Sequence, residues 1–357
     1  MSNIILKDME DLCKATYIPW EKLKNKTILI TGATGLIGTQ AIKTLAYINY
    51  KKSLNLNIVA FVRNEKKARS NMGELLDSKQ ISLVVGDVNN KLNYTENVDF
   101  IMHGASITDS KDFVSKPVET IWTAINGTNN ILEFAREKKV ESIVYISSLE
   151  IYGTPRVEDS YITENMYSPI DPLKIRSSYP ESKRMVECMC CAYCSEFDVP
   201  VKIARLAQTF GPGVNINIDN RVFSQFARSV LNNQNIVLNT DGSTTRSYCY
   251  NQDAIAGILA ILLKGANGEA YNVANEKATI SIREMAELIA KRYPEHPIRV
   301  ETRMKDITEL GYLPSFKMKL SSKKLENLGW YATKDIGDML DSMIYSMEEA
   351  VDPYYIK

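Results

Sequence analysis

Short runs of consecutive apolar residues alternate along the first half of the chain with longer stretches whose apolar positions recur every three or four residues. The runs Thr27–Thr31, Asn57–Arg63, Ile81–Gly86, Phe100–His103, Ser142–Ser147 and Val201–Leu206 are rich in β-branched residues and read as strands. Helical periodicity fills the gaps, at Ile37–Ile48, Pro117–Lys138 and Glu181–Phe197. Strands apolar on both faces belong in a sheet that is covered twice. The pattern therefore predicts an α/β fold, a doubly wound parallel sheet with helices on either side. After Gly211 the segments shorten and turn residues multiply, at Gly211-Pro212-Gly213 and Asp241-Gly242, before helices at Ser281–Arg292 and Lys334–Glu348. The expected division is a helical lead-in over 1–24, with Trp20 as its packing anchor, and a sheet domain over 25–210 to which 248–276 returns. Residues 211–247 and 277–357 form a smaller C-terminal region that binds substrate at the C-terminal edge of the strands.

Composition narrows the class. The chain has 357 residues, of which 45% are hydrophobic and 24% charged, enough for a large core and too apolar for disorder. Lys+Arg and Asp+Glu are both 43. That balance predicts neither nucleic acid nor an anionic membrane as a partner. Ala254–Leu263 is the longest apolar run and falls well short of the roughly 20 residues that span a bilayer. Lys7, Asp8 and Glu10 break up the N-terminus, which does not read as a signal peptide. The expected compartment is the cytoplasm. Six cysteines in such a chain form no disulfide framework. Cys190 and Cys194 share one helix face and Cys188 and Cys191 another, so the four diverge; no metal site is expected, and small apolar packing is. His103, at a strand end, reads as a packing or hydrogen-bonding residue, and Lys317, Lys319, Lys323 and Lys324 as a solvated face.

Between the first strand and first helix of the sheet lies Thr31-Gly32-Ala33-Thr34-Gly35-Leu36-Ile37-Gly38. The first glycine allows a tight turn, the second lets backbone approach a pyrophosphate, and the third lets helix and strand pack closely. The helix start then offers free N–H groups and the positive end of its dipole. This is the dinucleotide-binding turn of a Rossmann-type sheet, with Gly32, Thr34, Gly35, Leu36, Ile37 and Gly38 as expected cofactor contacts. At the end of the second strand an acidic residue would read the ribose of NAD. Arg63 stands there instead, with Lys66 and Lys67 beyond it, so NADP is favoured over NAD.

With this turn and the segment Tyr179-Pro180-Glu181-Ser182-Lys183, the chain resembles the extended short-chain dehydrogenase/reductase family, the NAD(P)-dependent nucleotide-sugar epimerase, dehydratase and decarboxylase group. Other motifs carry the likeness over about residues 25–345. They are Gly86-Asp87-Val88, Ser147-Ser148-Leu149-Glu150-Ile151-Tyr152-Gly153, Arg205-Leu206-Ala207-Gln208-Thr209-Phe210-Gly211-Pro212 and Arg246-Ser247-Tyr248. The resemblance implies that Asp87 and Val88 lie against the adenine, that His103-Gly104-Ala105 skirts the cofactor, and that Asn126 helps hold the site. It also implies that Asn220, Arg221, Val222 and Phe223, with Gln208 and Arg246, grip a nucleotide diphosphate. The long helices at Pro117–Lys138 and Glu181–Phe197 would pack on their copies in a homodimer.

The reacting groups follow. Tyr179 and Lys183, four apart, share one side of a helix start, and Pro180 makes Tyr179 the expected cap residue with itself first in the helix. A phenol is too weak a base at neutral pH unless a neighbouring ammonium favours its anion, which is the role expected of Lys183. In this group Lys183 also bonds the nicotinamide ribose. Ser148 would donate a hydrogen bond to the C4 oxygen while Tyr179 removes its proton and hydride leaves for the nicotinamide. Glu150 is the candidate second acid or base. Leu149 stands where dehydratases of the group often carry an acid, which disfavours acid-assisted dehydration.

Arg176 and Arg246 could serve a diphosphate or a hexuronate carboxylate. The stretch Pro172–Tyr179, together with Thr245–Tyr250, looks most like UDP-glucuronate decarboxylases. The expected activity is oxidation of a nucleotide sugar at C4, followed by epimerisation or decarboxylation. A 4-keto-sugar reductase using NADPH and a 4,6-dehydratase are the alternatives. A non-catalytic NADP-binding regulator is the alternative from another class, and the joint presence of Ser148, Tyr179 and Lys183 speaks against it.

Overall fold

The computed structural model describes residues 2–155, 161–304 and 315–348. Parts of the 277–357 segment, 305–314 and 349–357, lie outside the described residues. In chain order the elements begin with α1 (Asn3–Cys13), β1 (Thr27–Thr31), α2 (Leu36–Lys52), β2 (Asn57–Val62), α3 (Glu65–Met72), β3 (Ile81–Val85) and β4 (Phe100–His103). Next come α4 (Asp112–Ser115), α5 (Pro117–Lys138), β5 (Ser142–Ser148), α6 (Ser178–Phe197), β6 (Val201–Leu206) and β7 (Gln208–Phe210). The chain continues with α7 (Val222–Leu231), β8 (Ile236–Leu238), β9 (Thr245–Tyr250), α8 (Asn251–Lys264), β10 (Ala270–Val273), β11 (Asn275–Ser281) and α9 (Ile282–Arg292). The last elements are β12 (Val300–Thr302), β13 (Lys317–Met318), α10 (Lys323–Glu326) and α11 (Ile336–Glu348).

Seven strands form one parallel sheet in the order β10-β6-β5-β4-β1-β2-β3. Its inner strands are buried on both faces, as their apolar runs predict: every residue of β4 is buried, and in β1 all but Thr27. The strand order reverses between β1 and β4, where Thr31 lies in register with His103. In open α/β sheets that reversal opens a crevice at the C-terminal strand ends, and ligands bind there. The apolar run Ala254–Leu263 lies within α8 and is wholly buried, packed against α2, β5 and β6. A hydrophobic run of this length is thus a core helix, and no helix among the described residues is long and apolar enough to cross a membrane.

A second apolar core lies beyond β6, where Phe210, Phe223, Tyr248, Met285 and Leu340 meet. It joins β7, α7, β9, α9 and α11. Ser281 caps α9 in a reciprocal box with Glu284, satisfying two orphan donors at once. Trp20 is buried as the lead-in's anchor, and Lys334 of the C-terminal region reaches Asp8 of α1 at 3.7 Å.

The helix α6 starts earlier than the proline predicts. It begins at Ser178, so Tyr179 is a helical residue and not the cap. Ser177 Oγ donates to the Asp171 carbonyl at 2.6 Å and Ser178 Oγ to the Phe113 carbonyl at 2.8 Å, fixing the entry from both sides. Pro180 lies in the first turn, where its missing N–H loses nothing, and tertiary contacts override the usual bias of the preceding residue. Among the cysteines, Cys190 is buried as expected of small apolar packing, but Cys188 and Cys191 are exposed.

Candidate active site

The glycine turn closes as its spacing demands. Gly32 has φ +68, and a Cβ there would lie 2.6 Å from the Gly104 carbonyl carbon; a Cβ on Gly38 would lie 2.4 Å from the Gly32 oxygen. Strand end, neighbouring loop and helix start are therefore in contact through bare backbone. Gly35 is the cap of α2 and offers no side chain, while Thr39 is the first residue whose amide reaches an i−4 carbonyl, Gly35 O at 2.9 Å. The amides of Leu36, Ile37 and Gly38 thus lack intrahelical partners and point from the positive end of a 17-residue helix. That is the donor set a pyrophosphate needs. Leu36 and Ile37 turn their side chains into the two cores, so they would serve the ligand through backbone. Asn71 Nδ2 holds the turn at the Thr34 carbonyl, 3.0 Å away.

Thr31 organises the adjoining loop. Its Oγ1 accepts from the amides of Gly104 (3.2 Å) and Ala105 (3.1 Å), which leaves its hydrogen to donate to His103 Nδ1 at 2.7 Å. His103 Nε2 then carries the proton and donates to Thr128 Oγ1 at 3.0 Å. Burial, with the nearby Lys183 charge second, pushes the imidazole down to about 3, so His103 is a neutral strut for the Gly104-Ala105 loop.

Beyond β3, Asp87 Oδ1 accepts from the Asn89 amide at 2.9 Å, and Asn126 Nδ2 donates to the Asn89 carbonyl at 2.8 Å. Buried Val88 packs on Gly127, where a Cβ would fall 2.9 Å from its Cγ2, so Val88 faces the core. The Asn89 Oδ1 atom is buried here without a partner among the described residues, room for a donor from a ligand. Arg63 follows β2 and is exposed.

Ser148 ends β5 and accepts from the Glu150 amide at 3.2 Å. Beside it, Tyr179 is 7% exposed. Burial is the main force that raises the phenol above its ordinary value. Glu150 adds to this, while a hydrogen bond with Ser148 and the Arg176 charge pull it back. Arg176 pairs with Glu150 at 2.9 Å. The spacing predicts that Lys183 tunes the phenol, but here its Nζ donates to the Ile146 carbonyl at 2.9 Å and lies 5.7 Å from the centroid of the Tyr179 ring. Burial lowers the ammonium to about 8. Glu150 and Arg176 are the charged side chains that act most strongly on the phenol, with the Lys183 ammonium farther off.

The sequence reading misses Phe113. It stacks on Tyr179 with centroids 4.1 Å apart and planes 10° from parallel. No motif signals this, because the contact joins α4 to α6 across a long loop of sequence.

Of the substrate-side residues, Gln208 and Arg246 stand on a second, four-stranded sheet in which β9 pairs with β11, β13 and β7. Ser148 lies in register with Leu206, and the chain continues two residues on to Gln208 in β7, which pairs with Tyr248 of β9. Arg246, on β9, lies over the Phe316 ring at 5.1 Å and keeps a buried Nε without a partner among the described residues. Such a cation is poised for an anionic ligand. Arg221 is not free in this way: its Nε donates to Asp219 at 2.9 Å and its Nη1 to the Thr209 carbonyl at 3.2 Å. Asn220 is exposed and gives its carbonyl to Gln225, while Val222 opens α7.

A parallel sheet with a bare glycine turn at its first helix, and half-buried Ser148 beside buried Tyr179 and Lys183, defines a Rossmann-type dinucleotide-binding protein. A family profile, that of the NAD dependent epimerase/dehydratase family, matches residues 28–274, and the chain belongs to this family. The chain is 29% identical over 306 residues to UDP-glucuronic acid decarboxylase 6 of Arabidopsis thaliana, covering 86% of this chain and 84% of that protein. Among solved structures, dTDP-glucose 4,6-dehydratase from Streptomyces venezuelae with NAD bound superposes with a TM-score of 0.75 at 21% identity, over 90% of this chain and 97% of that one. UDP-glucuronic acid 4-epimerase from Bacillus cereus, in complex with UDP-glucuronic acid and NAD, gives 0.74 at 21% identity, over 90% and 99%.

Proposed function

We propose that this chain is an NAD(P)-dependent enzyme that oxidises C4 of a nucleotide-diphosphate hexuronate and then releases its carboxylate. The observation that carries the reading is the group formed by Ser148, Tyr179, Glu150 and Arg176, with the unpaired Arg246 Nε beyond it. A bound nicotinamide would supply the acceptor for hydride from C4 and the donor that returns it once the carboxylate has left as CO2. Tyr179 takes the C4 hydroxyl proton while Ser148 donates to the same oxygen, and Lys183 holds the ribose and compensates the phenolate as it forms. Arg176 exchanges Glu150 for the sugar carboxylate, and Arg246 holds the diphosphate, with Gln208, Asn220, Arg221 and Val222 completing that end. Glu150, once released as a carboxylate, orients the sugar or abstracts a proton from it.

Relatives support decarboxylation ahead of epimerisation, since UDP-glucuronic acid decarboxylase 6 is matched over most of both chains. Leu149 is 3% exposed and carries no proton to give, which weighs against a 4,6-dehydratase. The cofactor cradle is Gly32, Thr34, Gly35, Leu36, Ile37, Gly38, Asp87, Val88, Gly104, Ala105 and Asn126, with exposed Arg63 reading a 2′-phosphate where NADP binds. The assembly is a homodimer through α5 and α6. Val118 (65% exposed), Trp122 (61%) and Met185 (51%) are large apolar side chains facing solvent there. The compartment we assign is the cytoplasm.

The test is incubation with NAD and, separately, NADP, together with UDP-glucuronate, followed by mass spectrometry of the sugar nucleotide. Loss of one CO2 supports decarboxylation. Unchanged mass with altered retention gives epimerisation, loss of water gives dehydration, and consumption of NADPH by a 4-keto sugar gives the reductase. No turnover of any nucleotide sugar, with cofactor bound, returns the non-catalytic reading.

A further inference from the structure

Phe113 lies on α4, far in sequence from the reacting groups, yet it is 3% exposed and its ring is stacked on the Tyr179 phenol at 4.1 Å. Three links hold it there. Ser178, the residue before Tyr179, bonds the Phe113 carbonyl at 2.8 Å. The Arg176 guanidinium lies over the Phe113 ring at 4.7 Å. Ile107, from the loop after β4, completes an apolar cluster with Phe113 and Tyr179 and, among the described residues, with no other buried side chain. This cluster is separate from the larger apolar cores, and its ring-to-ring contact is with the phenol of Tyr179. A near-parallel partner ring restricts the swing of the phenol about its side-chain bonds and shields one face from water.

We propose that Phe113 is a positioning residue for the general base, holding the Tyr179 ring in the orientation that keeps its hydroxyl on Ser148 and excluding water from it. The inference rests on Tyr179 being the base. It is tested with Phe113→Leu and the milder Phe113→Met, which remove the ring, and Phe113→Tyr, which keeps it. Misplacing a reacting group by about 1 Å costs on the order of 100-fold, so both ring-less variants should lose 10- to 100-fold in kcat, in rough order of size, with KM little changed. Phe113→Tyr should restore most of the rate.

A second readout needs no turnover. The ultraviolet ionisation signal of Tyr179 is taken as the difference between each variant and the same variant carrying Tyr179→Phe. Admitting water moves that ionisation down towards the ordinary phenol range, near pH ~10. An unchanged Tyr179 ionisation and an unchanged pH–rate profile in both ring-less variants, with activity lost only in step with melting temperature, would overturn the proposal. Full turnover by Tyr179→Phe sinks the base reading itself, a separate outcome.

Discussion

The two walls of the cleft are built from different materials. On the cofactor side the contacts are made by backbone: Gly32 against Gly104, Gly38 against Gly32, and three unpartnered amides at the start of α2. Long side chains make the opposite wall, and they hold one another, Arg176 with Glu150 and Arg221 with Asp219. Backbone contacts have one geometry and cannot be retuned without breaking the turn. Ion pairs between half-exposed side chains can open for a ligand, because each partner is still within reach of water. The first wall suits a cofactor common to a whole family; the second suits a substrate that differs between its members.

Four substitutions separate the walls. Tyr179→Phe has the largest expected effect. Removing a general base typically costs 10²–10⁴-fold, so turnover should fall by about that factor while NAD titration is unchanged. Gly38→Ala does the reverse. Its Cβ would meet the Gly32 oxygen at 2.4 Å, so NAD affinity should collapse and the melting transition fall, by about 1–3 kcal/mol of overpacking.

Arg176→Gln should raise the KM for a hexuronate. The loss of a charge-assisted hydrogen bond is worth about 1.5–3 kcal/mol, or roughly 10- to 100-fold, with a smaller change for the neutral hexose nucleotide. Steady-state kinetics on the paired substrates decide it, and equal changes for both would assign Arg176 to the diphosphate.

The smallest effect is on pH dependence. Burial holds His103 at about 3 in the fold against 6.5 unfolded, so the unfolded chain binds the extra proton between those values. The contribution of His103 is complete above the unfolded value and is lost as pH falls towards about 3. Melting curves of wild type and His103→Gln should diverge least in acid and most near neutrality, and parallel curves would refute the neutral-strut role.

The same contrast explains what could be read from sequence. The strand runs, the glycine turn and the order of the motifs are local patterns, and the parallel sheet and cradle follow from them, with strand ends displaced by a residue or so at Val62, Val85 and Ser148. Partner choice across the cleft is not local. Four-residue spacing brings Tyr179 and Lys183 to one side of α6, yet the carbonyl of Ile146 takes the ammonium, and only the three-dimensional path of the chain brings Glu150, Arg176 and Phe113 to the phenol. The helix start at Ser178 was hidden for a similar reason: hydrogen bonds donated by Ser177 and Ser178 to the Asp171 and Phe113 carbonyls outweigh the bias set by Pro180. His103 is the converse case, where a strand-end position near the cofactor loop already suggested a packing or hydrogen-bonding role, and the fold supplies Thr31 and Thr128 as its partners.

The central claim is that Tyr179 takes the proton as C4 gives up its hydride. UDP-glucuronate deuterated at C4 tests this directly, with the label followed by mass spectrometry in the cofactor during a single turnover. The account predicts deuterium on the nicotinamide in wild type, a slowed rate relative to the unlabelled sugar, and no transfer in Tyr179→Phe. Release of CO2 with no deuterium passing through the cofactor at any time in the turnover, or transfer at the wild-type rate by Tyr179→Phe, would contradict it.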